Sequence, residues 1–391
     1  MLPTYYQFYC PVKILSGEKA LGNIPFEMSL LGVSNAMVVT DRGVVDAGLV
    51  TPIESAFADS DRRIGFIFDE VPPDSSNRVV NKLAALFREK GCDCFVAVGG
   101  GSAMDTAKGA NIVISQGSRD LLELQGADRI TADLKPLIVV PTTAGTGSEV
   151  TRVAVIFNEE KNVKMSFVSD KLYPRVAVID PAMTETMPPR ITAATGMDAL
   201  THAVEAFISI QKNPLSDIFA CRAVDFIRRY LLRAVENGKD REARLAMANA
   251  ALFAGIAFSN SMVGVVHALA HAAGGVGRVP HGAANALLLP WGLEYNLDVS
   301  EKPLAELSFH LGGAPGFLDW RAQAEQTISL VRNLLDRLNR ISGLPVRLRD
   351  AGVREDQLPD IAQTAINDGA LLYNPREVSY EDALSILRKA F

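Results

Sequence analysis

Phe95–Lys108 reads FVAVGGGSAMDTAK. Its first four residues are apolar and β-rich, the texture of a strand buried on both faces of a parallel sheet. Three glycines follow, and then a helix-forming run, so the segment predicts a strand, a sharp turn and a helix. Ser102 stands where an N-cap belongs, and Asp105 follows three residues later, the spacing of a capping box. A helix starting here points free N–H groups and the positive end of its dipole at the turn, which suits a pyrophosphate. A tight strand–helix turn without any ligand explains three glycines equally well.

Outward from this stretch the same texture repeats. Ala36–Thr40 (AMVVT), Leu137–Val140 (LIVV) and Val176–Ile179 (VAVI) are short apolar runs, with helical patterns over Asn77–Lys90 and Met104–Ser115 between them. Such alternation predicts an open parallel α/β sheet. LIVV runs into PTTAGTGSEVT (Pro141–Thr151), a second loop of small hydroxyl and glycine residues. Two loops of this kind after neighbouring strands can hold the two ends of a dinucleotide. The GxGxxG fingerprint is absent. Asp41 directly follows AMVVT, where a carboxylate can bond an adenosine ribose and repel a 2′-phosphate; a plain cap or turn aspartate is the alternative.

Beyond Asp180-Pro181 the sequence turns to long Ala/Leu-rich helical segments with no convincing strand. The expected organisation is an α/β dinucleotide-binding domain over residues 1–185 and an all-helical domain over 186–391, with a ligand cleft between them. GMDALTHAVEAF (Gly196–Phe207) sets Asp198 and His202 on one helical face. VVHALAHAAGG (Val265–Gly275) does the same for His267 and His271, and PHGAAN (Pro280–Asn285) adds His281. A carboxylate and imidazoles converging from two helices and a loop can hold a divalent cation and leave positions open for substrate. A single histidine in an Ala-rich helix is more often a core residue. Four of the chain's five histidines fall between 202 and 281, however, and so many buried ring nitrogens need partners.

Composition narrows the function classes. The chain has 391 residues, 48% hydrophobic and 21% charged, enough for two globular domains. With 45 acidic and 39 basic side chains the net charge is -6, which provides no electrostatic footprint for nucleic acid or a membrane surface. The opening MLPTYYQFYC lacks the features of a secretory signal, and Cys10, Cys92, Cys94 and Cys221 are scattered, so a reducing cytoplasm is expected. Leu245–Gly277 carries no formal charge over a length that could span a bilayer, yet Asn249, Asn260, His267 and His271 fit a buried helix pair better.

Taken together, GGGSAMDTAK, PTTAGTGSEVT, GMDALTHAVEAF, HALAHAAGGVGRVPHGAANALLLP and NPR (Asn374–Arg376) resemble the iron-containing (group III) alcohol dehydrogenases, in order and along essentially the whole chain. The resemblance implies a dehydroquinate-synthase-like architecture and an NAD-dependent, Fe2+-dependent oxidoreductase interconverting small primary alcohols or diols and their aldehydes. It implies metal ligands at Asp198, His202, His267 and His281, with Zn2+ as an alternative ion, and a non-ligating His271 beside nicotinamide and substrate that can relay a proton. Gly99, Gly100, Gly101, Ser102 and Asp105 correspond to the pyrophosphate loop, Thr142, Thr143 and Thr146 to the second cofactor loop. Lys164 corresponds to a lysine near the nicotinamide ribose, and Asp41 to the position linked to NAD preference. A homodimer or higher homo-oligomer is implied as well. Three departures stand out: Asp74 in place of an Asn, Gly277 in place of an aromatic that walls the substrate pocket, and Tyr373 in place of a Thr. A zinc-dependent glycerol or polyol dehydrogenase and a nucleotide-binding protein without turnover are the alternative readings.

The Asp41 reading makes a direct prediction, because like charges placed together act on specificity more than on NAD affinity. Asp41→Gly should raise kcat/KM with NADP markedly while costing NAD less. A wild type that already prefers NADP, or a ratio that the substitution leaves unmoved, contradicts it.

Overall fold

The computed structural model describes residues 3–126, 129–161, 163–313 and 319–391. The strands are β1 (Lys13–Ser16), β2 (Asn35–Val39), β3 (Arg63–Phe68), β4 (Cys94–Gly99), β5 (Leu137–Pro141), β6 (Val153–Asn158), β7 (Val163–Val168) and β8 (Val176–Ile179). Six of them form a parallel sheet in the order β1-β8-β5-β4-β2-β3, while β6 and β7 pair as a separate antiparallel ribbon. Residues of β2, β4, β5 and β8 are buried throughout, which is what their continuous apolar runs require. Sequence reading missed the edge strands, the four-residue and mostly exposed β1 and the alternating β3, as well as the β6–β7 ribbon.

Strand order reverses between β2 and β4, where Val39 pairs with Ala97, and β4 runs on to pair Gly99 with Pro141. The loops after β2, β4 and β5 therefore emerge side by side at the carboxyl end of the sheet, beside its switch point.

The helix after the glycines differs from the expected capping box. It spans Gly101–Ser115 with Gly100 as its N-cap and no side-chain cap bond, so Ser102 lies inside the first turn. Asp105 faces inward instead: Oδ1 accepts from Ser148 Oγ at 2.9 Å and Oδ2 from the Val155 N–H at 3.0 Å. One turn on, the fully buried Lys108 Nζ donates to the carbonyls of Ser148, Thr151 and Val153 at 2.8, 3.1 and 2.9 Å. The first helix after the glycines thus holds the segment that follows the second loop. Burial pushes the Lys108 ammonium down to about 8 and the neighbouring Glu149 carboxyl up to about 7.

The chain divides at residue 186. One unit comprises 10–143 and 147–186; the other comprises 187–391 together with 1–9 and 144–146. The first residues join the helical unit because Phe8 stacks on Phe219 at 5.8 Å and the Tyr9 N–H donates to Asn260 Oδ1 at 2.8 Å. This unit contains no strand among its described residues, and its main helices are Pro189–Ile208, Pro214–Glu236, Arg241–Ser259, Val265–Gly277, His281–Asn296 and Trp320–Ser342. The uncharged Leu245–Gly277 stretch forms parts of two of these, and no described helix is long and apolar enough to cross a membrane. Arg244, 1% exposed, closes the start of the first of them: its guanidinium donates to the Met187 carbonyl at 2.9 Å and to Thr192 Oγ1 at 2.8 Å.

Lys108 should be structurally indispensable, since removing one member of a buried charge network strands the others and costs about 3–5 kcal/mol. Lys108→Met should therefore lower the thermal midpoint clearly. An unchanged midpoint would show that the buried oxygens around Nζ find other partners.

Candidate metal centre and cofactor loops

Four side chains meet inside the helical unit. Asp198 and His202 project from Pro189–Ile208 one turn apart, His267 from Val265–Gly277, and His281 from the first residue of His281–Asn296, which is helical where a loop was expected. One ligand atom from each lies within 4.8 Å of all the others. The helices carrying them are mostly apolar, so the sequence buries this group by burying its neighbours; Asp198, His202 and His267 are 2%, 5% and 2% exposed.

The electrostatics favour the ligating forms. Burial pushes the His202 imidazole below its ordinary value against the pull of Asp198 and Glu205, and burial with the neighbouring histidines pushes His267 lower still. For Asp198, burial would raise the carboxyl, yet His202, His281, His267 and the Asn285 amide outweigh it and hold it below the usual carboxylate range. Neutral imidazoles and an anionic carboxylate are the donors a divalent cation needs. His267 Nε2 is buried with no hydrogen-bond partner among the described residues. An orphaned nitrogen in an apolar interior is costly. A cation held by the four side chains satisfies it, so the residues fit a metal of the kind the resemblance implies.

Three further residues, unread in the sequence, orient this group. Glu205, 1% exposed, sits 2.5 Å by Oε2 from His267 Nδ1. Burial pushes its carboxyl up to about 7; when ionised it accepts the N–H there and leaves Nε2 as the lone-pair nitrogen. Asn285 donates by Nδ2 to Asp198 Oδ1 at 2.6 Å. Asp368 Oδ2 lies 2.7 Å from His271 Nδ1; burial would raise its carboxyl, but the bond to His271 and that ring's charge hold it below the usual range. His271 stands outside the group of four, stacked on His281 with ring centroids 5.2 Å apart. Glu205 is one turn beyond His202 and Asn285 one turn beyond His281, so helical spacing could have found both. Asp368 lies in no motif and offers no local signal.

In the α/β unit, Asp41, Gly99–Ser102, Thr142 and Thr143 lie at the ends of β2, β4 and β5, while Lys164 lies in β7. None of Gly99, Gly100 and Gly101 has a positive φ, so close approach, and not turn conformation, explains Gly99 and Gly100. A β-carbon on Gly99 would lie 2.7 Å from Ala103 Cβ, and one on Gly100 would lie 3.2 Å from Thr143 Oγ1. The Thr142 N–H donates to the Gly99 carbonyl at 3.0 Å, joining the two loops directly. Asp41 is an N-cap, its Oδ1 accepting from the Val44 N–H at 3.0 Å, while Oδ2 lies 3.6 Å from where a Gly99 β-carbon would stand. Lys164 Nζ pairs with Asp74 Oδ1 at 2.7 Å. Thr146 belongs to the helical unit, Thr142 and Thr143 to the α/β unit. At Gly277 a β-carbon would be 3.0 Å from Val353 Cγ2, so protein already fills the space where an open pocket wall was expected.

Comparison with known proteins agrees with this geometry. Residues 11–181 match the iron-containing alcohol dehydrogenases, and residues 192–391 match the C-terminal part of the Fe-containing alcohol dehydrogenase family. The chain belongs to the iron-containing alcohol dehydrogenase family. It is 39% identical to the 1,3-propanediol dehydrogenase of Klebsiella pneumoniae over 388 residues, 99% of each chain. It is 34% identical to the NAD-dependent methanol dehydrogenase of Bacillus methanolicus over 383 residues, 98% of this chain and 99% of the other. A crystal structure of a 1,3-propanediol oxidoreductase superposes with a TM-score of 0.95 at 39% identity, covering 99% of this chain and 100% of that one. The protein is therefore an oxidoreductase of the alcohol dehydrogenase class, a membership that implies iron and NAD(H).

The Glu205 contact predicts the tautomer of His267. In metal-free protein at pH 8, 15N–1H spectra of labelled histidine should show a neutral ring protonated at Nδ1, because burial penalises the imidazolium and Glu205, whose carboxyl burial pushes up to about 7, is ionised there and accepts the proton's hydrogen bond. A ring protonated at Nε2, or cationic, at pH 8 would contradict the arrangement.

Proposed function

We propose that this enzyme interconverts small primary alcohols or diols and their aldehydes, with a divalent cation, Fe2+ in the cell, on Asp198, His202, His267 and His281. The observation that carries the proposal is the convergence of those four ligand atoms within 4.8 Å of one another inside an apolar helical unit. The relatives named for propanediol and methanol support small substrates. Zn2+ is an alternative ion, since nitrogen and oxygen donors bind it more tightly than Fe2+.

Lewis acidity toward the alcohol or carbonyl oxygen is what the cation would supply, and hydride acceptance is what nicotinamide would supply. The protein's own part is binding, orientation and proton transfer. His271 holds its Nδ1 against Asp368, which leaves Nε2 to take up the hydroxyl proton or return it. Gly99–Ser102 hold the pyrophosphate, Thr142, Thr143 and Thr146 form the second cofactor loop, Lys164 serves the nicotinamide ribose, and Asp41 bonds the adenosine ribose. Asp105 contributes by fixing the loop from behind. Residues 1–185 thus serve mainly the cofactor and 186–391 the metal. The setting is a reducing cytoplasm, consistent with four free cysteines, and the active form is a homodimer or higher homo-oligomer.

Replacing any one of Asp198, His202, His267 and His281 by Ala should strip the metal, as read by elemental analysis. His271→Ala should retain it while turnover falls about 10²–10⁴-fold. Stoichiometric metal in all four ligand variants sinks the ligand set, and unchanged turnover in His271→Ala demotes that residue to packing. Anaerobically Fe(II)-loaded enzyme should reduce NAD with C2–C4 alcohols or diols; failure with every one of them sinks the activity.

A further inference from the structure

The helix Val265–Gly277, which carries His267 and His271, begins in a place that water does not reach. Val265, Val266 and His267 are at most 2% exposed. The first N–H groups of a helix have no acceptor within it, and buried ones must find acceptors elsewhere. Two side chains from distant parts of the chain supply them. Glu205 accepts from the Val266 N–H at 2.7 Å and the His267 N–H at 3.3 Å. Asn374 Oδ1 accepts from the Val265 N–H at 3.1 Å. Asn374 is itself locked: it exchanges two amide hydrogen bonds with Asn296, each 2.9 Å, and donates to the Arg376 carbonyl at 2.6 Å.

Gly264 shows how closely these groups fit. A β-carbon there would lie 2.6 Å from Asn374 Oδ1 and 3.3 Å from Glu205 Oε1. A β-carbon on Gly264 therefore has no room beside these two side chains. A carboxylate at this end also meets the positive pole of the helix dipole.

We propose that Glu205 and Asn374 are positioning residues that clamp the amino end of the Val265–Gly277 helix and thereby set the metal affinity of the centre. Glu205 acts twice, since the oxygen that caps the His267 N–H also holds His267 Nδ1. Helix height and ring tautomer are fixed by one group, so His267 Nε2 is presented before any ion arrives. Asn374 brings the late NPR segment into the same task. This inference rests on the metal reading above.

The test is the affinity for Co(II), measured on the full-length protein by competition with a chromophoric chelator, together with the visible spectrum of the cobalt form. Glu205→Gln keeps the shape and one acceptor, but its amide NH2 faces His267 Nδ1 and drives the ring proton to Nε2. Gly264→Ala leaves every polar group in place and pushes the clamp apart. Each should weaken Co(II) binding about 10–100-fold, the usual effect of losing a partner behind a ligand, and alter the cobalt spectrum while far-ultraviolet circular dichroism stays native. Wild-type affinity and spectrum in both variants would overturn the clamp and leave the metal reading intact. No stoichiometric cobalt on the wild type would overturn the metal reading, and the clamp with it. Loss of fold in both variants would make the pair a purely structural cap and likewise overturn it.

Discussion

A neutral imidazole has one N–H and one lone pair, and in the helical unit these are assigned by burial. His267 gives its N–H to the ionised Glu205, and no described protein group meets its buried Nε2. Such an arrangement destabilises the folded chain unless something fills it, and three imidazoles with one carboxylate are suited to a divalent cation. The surrounding helices make this tolerable. Their core draws on nearly every helix from Pro189 to Ala390, so packing holds the site in shape.

The α/β unit works under a different constraint. A parallel sheet buried on both faces leaves its carboxyl ends as the place where polar groups can gather. There the backbones of β4 and β5 approach closely enough for Thr142 to bond Gly99, and a side chain on Gly100 would crowd Thr143. Behind the loops, Lys108 and Asp105 join the glycine-led helix to the Ser148–Val155 segment through buried polar contacts. The loops after β4 and β5 are thus held by one helix.

Much of this was legible in the sequence, and the gaps have physical causes. Continuous apolar runs exposed the four central strands, because burial on both faces leaves a strong signal. β1 and β3 lie at the edges, where one face is wet and the run is short or alternating, so they passed unread. The cluster of four was legible because helical spacing brings Asp198 to His202. His281 joined through its PHG context. Ser102 and Asp105 matched a capping-box spacing, but a glycine N-cap and a polar partner across the fold won over local pattern. Glu205 hid among the alanines of a helix already credited with two ligands. Asp368 and Asn374 reach the centre only through the tertiary fold, which no local pattern encodes.

The most direct test is anomalous diffraction at the iron edge from crystals of anaerobically Fe(II)-loaded protein. The account predicts a single ion per chain, bound by a carboxylate oxygen of Asp198 and one ring nitrogen each of His202, His267 and His281, with His271 outside the coordination shell. An ion bound elsewhere, or one that includes His271 in place of any of those four, would contradict it.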